Sequence, residues 1–147
     1  MERDIQVHNE DIDRLRAELR HIVEFFRGLG CERCDVFFGW AWSTERDKAD
    51  LAMKTVNTPL LDLDAEVRRA EDDGLGNFGG DDVWVSFEGR APKFQFCHHE
   101  GIHLFYSEPD EVTGHFRDRW RAEGLDPWEF EKADAGSDWQ RVPGECA

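Results

Sequence analysis

The clearest pattern in the chain is an amphipathic stretch near its N-terminus. Apolar residues recur at helical spacing from about residue 9 to residue 27, and arginines and glutamates fill the other side. Asn9 suits the N-cap, and Gly28 and Gly30 suit the end of this helix. Residues 1–4 are polar and are expected to lead directly into it. The pattern predicts a first helix with one buried face.

Period-two alternation follows, and it predicts a strand over residues 35–42. Val36, Phe38, Trp40 and Trp42 alternate along it and would share one face. Residues 43–50 are polar and predict a connection, either a loop or a short helix.

A second helix is predicted over residues 59–73, with Thr58 as its cap and Pro59 in its first turn. The glycine-rich segment 74–82 ends it. A strand at 83–87 and a turn at 89–92 come next.

The segment 94–106 predicts a β-hairpin, because aromatic and β-branched residues alternate on both sides of residues 99–101. Gly101 is expected to supply the positive φ of this turn. A third helix is predicted over 110–122. Together these elements predict an α+β fold with two layers, in which an antiparallel sheet of about four strands carries its helices on one face. Residues 1–147 would form a single domain, with residues 126–147 packed on it as an irregular or short-strand segment.

The charge balance bears on the partners of the protein. The chain has 33 acidic and 18 basic residues, a formal net charge of −15. Such a charge repels nucleic acid and anionic membranes and favours a basic protein partner, although acidity can also serve solubility alone. The absence of a leader-like or membrane-length apolar run predicts a cytoplasmic protein with reduced thiols. Four cysteines are too few and too scattered for a disulfide framework.

Residues 99–103 match H-E-x-x-H, in which His99 and His103 would bind zinc and Glu100 would activate water. The motif requires a helix, whereas the local pattern predicts a hairpin, and the extended form of the motif would put its third ligand at Pro109. A zinc-dependent hydrolase is therefore the alternative and not the leading hypothesis.

The cysteines offer a second metal hypothesis. Cys31 and Cys34, joined by Cys97 and a neighbouring histidine, have the donor types of a structural zinc site. The favoured interpretation is that Cys31 and Cys34 flank a turn and that Cys97 is a small core residue. No serine or cysteine lies in a recognisable nucleophile motif, so no catalytic residue, metal or cofactor is predicted.

The glycine-rich segment follows a helix and precedes a strand, the wrong order for a phosphate-binding loop. Its structural interpretation is a helix C-cap followed by a tight, exposed return. Its functional interpretation is a protruding acidic loop, with Phe78 at its tip, that enters a cleft of a partner. The predicted partner-binding residues are then Phe78, Asp72, Asp73, Asp81 and Asp82.

Four stretches (65–74, the glycine loop with Asp81 and Asp82, 96–104 and 115–120) together resemble small acidic bacterial proteins assigned as immunity proteins of toxin systems. The resemblance implies a non-enzymatic inhibitor that neutralises a toxin by stoichiometric binding, and it implies no catalytic residues. Electrostatic steering of a basic toxin by an acidic inhibitor agrees with this hypothesis. A structural subunit of a larger assembly is a further alternative, and the oligomeric state stays open.

Overall fold

The structure, a computed structural model, describes residues 1–39, 42, 54–134 and 136–143. Within these residues it contains eight strands and three α-helices. The strands are β1 (Glu2–His8), β2 (Arg33–Phe38), β3 (Thr55–Pro59), β4 (Val83–Phe87), β5 (Lys93–Phe96), β6 (Gly101–Tyr106), β7 (Trp128–Lys132) and β8 (Gln140–Arg141). The helices are α1 (Ile12–Gly28), α2 (Leu63–Asp72), which follows a 3-10 turn at Leu60–Asp62, and α3 (Glu111–Ala122).

All eight strands form one antiparallel sheet in the order β3-β2-β4-β5-β6-β1-β7-β8. The mixed α+β class is therefore confirmed, but the prediction of about four strands is wrong. β1 was expected to be polar sequence leading into helix, yet it lies between β6 and β7. β3 was not predicted, and the tail predicted as irregular contributes β7 and β8.

The hydrophobic pattern of the sequence does not predict these strands, because they carry few apolar residues. In β1, Ile5 and Val7 point into the core, while Asp4 and Gln6 point to the other side of the sheet. In β3, Val56 lies between the polar residues Thr55 and Asn57. Their neighbours, rather than their own hydrophobic pattern, hold such strands in the sheet.

The three helices cover one face of the sheet and share one hydrophobic core with it. The ring of Phe26 in α1 stacks on Phe87 in β4, with centroids 3.6 Å apart. Phe116 in α3 meets Phe94 in β5 edge-on at 4.9 Å. None of the described helices is long and apolar enough to cross a membrane.

The predicted helices differ from the observed ones mainly at their starts. Asp11, not Asn9, caps α1, and its side chain accepts a hydrogen bond from the backbone N–H of Asp13. Thr58 is a buried residue of β3 and caps nothing. The start of α3 is as predicted, with Asp110 in a capping box. Trp40 and the polar connection at 43–50 lie outside the described residues.

The other face of the sheet is covered by none of the described helices, and we call it the open face. One row of cross-strand neighbours runs across it from β2 to β7. Its members are Phe37, Trp84, Gln95, His103, Gln6 and Trp128. Aromatic side chains thus lie among polar ones on this face, whereas an ordinary solvated sheet face would be polar throughout.

Candidate functional site

His103 lies near the middle of the open face, on β6, and its ring is held from the side of β1. Its Nδ1 lies 2.8 Å from Oδ2 of Asp4, on the adjacent strand. The histidine side chain is 19% exposed and the aspartate side chain 7%. Because the partner fixes Nδ1 as the donor, Nε2 points away from Asp4 along the sheet.

Cys97 approaches the same imidazole from the hairpin. It follows β5 directly, and its backbone N–H donates to the carbonyl of Gly101 at 2.9 Å. This places the thiol diagonally opposite His103 on the open face, and Sγ of Cys97 and Nε2 of His103 come together beside Gly101. Thiol, imidazole and carboxylate therefore lie in a row from Cys97 through His103 to Asp4.

Gly101 makes this contact possible because it has no side chain. A Cβ at this position would lie 2.9 Å from Sγ of Cys97 and 3.9 Å from Nε2 of His103. It would therefore intrude between the two reactive groups. The sequence pattern predicted a different role for this glycine, a positive φ in the turn. In the structure Glu100 carries that conformation, with φ of 60°, and Gly101 begins β6.

The surroundings stabilise the charged forms of both groups. Burial alone lowers the pKa of His103, but the hydrogen bonds and charges of Asp4 and Cys97 raise it to about 9. Burial alone raises the pKa of Cys97. The hydrogen bond and charge of His103 and the backbone N–H groups of His99 and Gly101 oppose burial, and the pKa falls below its ordinary value. The surroundings therefore shift Cys97 towards the thiolate and His103 towards the imidazolium.

Cys34 provides the contrast within the same chain. It lies on β2, on the helix-covered face, and is 1% exposed. Burial raises the pKa of its thiol to about 12, with a smaller contribution from Asp35. Two cysteines of similar burial thus differ in the direction of their pKa shift because only Cys97 has an imidazole beside it.

A cavity of about 440 Å³ opens beside this group. Leu125 and Trp128 contribute apolar side chains to its wall. The other lining residues are Gln6, Val7, His8, Cys97, His99, Gly101, His103 and Asp126. Small-molecule sites commonly combine apolar surface with polar groups that orient the ligand.

The predicted zinc ligands do not lie on a common helical face. Residues 98–100 form a turn, and His99 is exposed there. Glu100 belongs to the same turn, whereas His103 is on β6 and is bound to Asp4. The hairpin prediction for this segment is confirmed. Among the described residues no group of three or more potential ligands is arranged to hold a metal ion.

The second metal hypothesis fails on the position of the cysteines. Cys34 belongs to the helix-side core, whereas Cys97 belongs to the open face, on the other side of the sheet. Cys31 lies near the carbonyl of Glu88, with its sulfur 3.7 Å from that oxygen. The three thiols therefore do not converge.

Phe78 is not at the tip of an exposed loop, as the functional interpretation of the glycine segment requires. It is 3% exposed, and its ring lies 4.9 Å from that of Phe96 in β5. The guanidinium of Arg16 covers the ring at 5.2 Å. The ring was expected to anchor a partner, but it completes the core beneath α1.

The four predicted acidic residues fall into two groups. Asp81 and Asp82 are half-buried and accept hydrogen bonds from their own surroundings. Asp81 accepts from the backbone N–H of Asn77 at 2.8 Å, and Asp82 accepts from that of His98 at 2.9 Å. Asp72 and Asp73, at the end of α2, are exposed. Of the predicted partner-binding set, only these two present free surface.

Sequence reasoning missed the group formed by Cys97, His103 and Asp4. Once a turn is placed at 98–100, the hairpin register puts Cys97 and His103 on the same face, which was the available signal. Asp4 carried no signal, because the strand that holds it was not predicted.

In comparisons with protein-family models, curated proteins and solved structures, nothing matches this chain.

Proposed function

We propose that this protein acts through a nucleophilic thiol, that of Cys97, which His103 activates and Asp4 orients. The observation that carries the proposal is the row of thiol, imidazole and carboxylate on the open face, with Asp4 hydrogen-bonded to His103 and Cys97 beside the other ring nitrogen. The sequence pattern predicted no catalytic residue, and the proposed role of Cys97 departs from that prediction.

The three groups have complementary chemical roles. A thiolate is a far better nucleophile than a thiol, and a neighbouring imidazolium keeps it in that form. Asp4 fixes the orientation and tautomer of the His103 ring, and the 2.8 Å hydrogen bond leaves Nε2 for the sulfur. The adjacent cavity gives a small molecule access to the sulfur.

Alkylation by iodoacetamide tests the proposal, because the reagent reacts with thiolates. The rate at each cysteine is followed by peptide mass spectrometry across a pH series. We expect the Cys97 profile to have its midpoint below that of the same peptide in denatured protein, and Cys34 to stay unreactive. His103→Gln should shift the Cys97 midpoint upward and lower the rate near neutral pH by about tenfold or more.

His98→Gln is the matched control, because His98 is exposed and lies in the same hairpin but hydrogen-bonds Asp82 instead of a cysteine. It should leave the Cys97 profile unchanged. A native midpoint equal to the denatured one, or a profile indifferent to His103→Gln, would rule the proposal out.

A second candidate function is the one that the sequence favoured: a cytoplasmic, immunity- or antitoxin-type protein that neutralises a basic partner by stoichiometric binding. The net charge of −15 and the exposure of Asp72 and Asp73 favour it. Arginines of the helix layer are engaged by acids, as in Arg16 with Glu71 at 2.6 Å. The surplus negative charge therefore faces solvent, where it attracts a partner of opposite sign.

Affinity capture from cells of the source organism tests this second candidate. We expect a basic protein in a one-to-one ratio, with an affinity that falls as salt rises. The double variant Asp72→Asn with Asp73→Asn should weaken binding by about tenfold, whereas Glu24→Gln on α1 should not. Recovery of no stoichiometric partner would count against it.

A further inference from the structure

We infer that Cys97 accepts an acyl group, and that the substrates of this site are esters or thioesters of a short, uncharged acyl chain held in the adjacent cavity. The inference rests on the proposed thiol nucleophile and adds the class of electrophile. It is carried by the residues that surround the sulfur and line the cavity.

The first argument is the placement of an imidazole beside the sulfur. A Cβ at Gly101 would lie 2.9 Å from Sγ of Cys97 and 3.9 Å from Nε2 of His103, so both groups face the same position. An imidazolium there stabilises the thiolate and can then give its proton to a leaving group. The leaving oxygen of an ester or sulfur of a thioester needs such a proton, which favours an acyl substrate.

The second argument is the chemistry of the cavity. Leu125 and Trp128 supply apolar side chains, and the described lining includes no lysine or arginine. Asp126 adds a negative charge. A phosphate or carboxylate on the acyl chain would therefore lack a cationic partner, which favours uncharged chains. The volume of about 440 Å³ suits a small ligand.

Acylation of Cys97 and the hydrolysis that follows need no reagent besides water. The Cys97 sulfur attacks the carbonyl carbon and forms a C–S bond, and the tetrahedral adduct then breaks its bond to the leaving oxygen of an ester or the leaving sulfur of a thioester. The leaving alkoxide or thiolate takes the proton from Nε2 of His103, which gives an alcohol or a thiol and a Cys97 thioester. Neutral His103 next removes a proton from water, and the resulting hydroxide releases the carboxylic acid and regenerates the thiolate.

The probes for the experiment are 4-nitrophenyl acetate and 4-nitrophenyl butyrate. We expect a burst of nitrophenolate of one equivalent per chain, with the acyl group found on the Cys97 peptide by mass spectrometry. Cys97→Ser and His103→Gln should each reduce the burst rate by about a hundredfold or more. Cys31→Ser, which removes a thiol away from the cavity, should leave the burst unchanged.

Trp128→Ala tests the role of the cavity. This ring is 50% exposed and its removal should leave the fold intact. We expect it to slow acylation by the butyrate ester more than by the acetate ester, while the pH midpoint of Cys97 alkylation stays the same.

The two proposals can fail separately. An acid-shifted alkylation profile without acyl-Cys97 would overturn the acyl inference and leave the activated thiol standing. An ordinary alkylation profile would overturn both. Equal slowing of the two esters by Trp128→Ala would overturn the assignment of the acyl chain to this cavity.

Discussion

His103 and Asp4 are 99 positions apart in the chain, yet Nδ1 of the imidazole and Oδ2 of the carboxylate are 2.8 Å apart. The contact exists because β1, the first strand, is inserted between β6 and β7. It holds the imidazole in the orientation in which its second nitrogen lies beside Gly101, next to the Cys97 thiol. The chemistry of the hairpin therefore depends on a strand from the other end of the chain.

The contribution of Asp4 to stability should depend on pH in a defined direction. The pKa of His103 is raised from 6.5 to about 9 on folding. The stabilisation is fully present below pH 6.5 and is lost as the pH rises through about 9. We expect Asp4→Asn to cost roughly 2 kcal/mol of unfolding free energy at pH 6.5, and progressively less towards pH 9.

Urea unfolding across the pH series measures this effect, and comparing both proteins in a Cys97→Ser background removes the titration of the thiol. Glu24→Gln is the control, because the side chains of Glu24 and Arg27 are exposed and 3.9 Å apart. Its cost should stay below about 0.5 kcal/mol at every pH. A cost for Asp4→Asn that is independent of pH would contradict the assignment.

Gly101→Ala should separate the thiol from the imidazole. The new Cβ would lie 2.9 Å from the Cys97 sulfur and 3.3 Å from the carbonyl oxygen of Val7. We expect a loss of roughly 1–3 kcal/mol in stability and an upward shift of the Cys97 alkylation midpoint. Gly114→Ala, in α3 with nothing within 4 Å of its Cβ, should instead stabilise the protein by about 1 kcal/mol. Unchanged alkylation in Gly101→Ala would show that the empty position is unimportant.

Glu18 should be one of the most sensitive positions for stability. It is 1% exposed and accepts hydrogen bonds from Arg119 at 2.7 Å and from the indole of Trp120 at 3.1 Å. Glu18→Ala leaves both donors without this acceptor, so we expect a loss of about 3–5 kcal/mol in urea unfolding. Glu24→Ala, on the exposed side of the same helix, should cost less than about 0.5 kcal/mol. Similar losses for the two variants would refute this account.

The contact between α1 and α3 should weaken in acid. The Nε2 atoms of His21 and His115 are 2.8 Å apart. Burial and then Arg119 lower the pKa of both rings, and Glu18 partly opposes this. A histidine whose pKa is lowered on folding contributes stability above pH 6.5. That contribution is lost as the pH falls through the lowered pKa. Asp118 partly offsets this at His115.

His115→Phe, which preserves the stacking on Phe25, should therefore show a shallower loss of unfolding free energy below pH 6.5 than the wild type. His8→Gln, on an exposed strand end, should follow the wild type. An identical acid dependence for His115→Phe and the wild type would rule out the histidine pair as its cause.

The elements that could be predicted are those whose own residues alternate strongly. In α1 and α3, apolar residues recur at helical spacing over a long run. In the hairpin of β5 and β6, aromatic and other apolar residues occupy every second position. β1 has only Ile5 and Val7 as buried apolar residues, because its other side carries Asp4 into the site. Its polar residues are satisfied by long-range partners that no local pattern contains.

Only part of the candidate site could be predicted from the sequence, for the same reason. The hairpin register relates Cys97 to His103 through local pairing. The orientation of the ring comes from Asp4, and the room between the two groups comes from Gly101, whose role was mistaken for a turn conformation. The prediction of an exposed acidic loop was wrong because its sequence is typical of a loop, whereas tertiary packing buries Phe78.

The most direct test of the account is the ultraviolet absorbance of thiolate as the native protein is titrated, taken as the difference between the wild type and Cys97→Ser. The account predicts a one-thiol transition whose midpoint lies below the ordinary cysteine value of 9.0, and which moves upward in His103→Gln. A midpoint at or above 9.0, in the direction that burial gives Cys34, would contradict an activated Cys97.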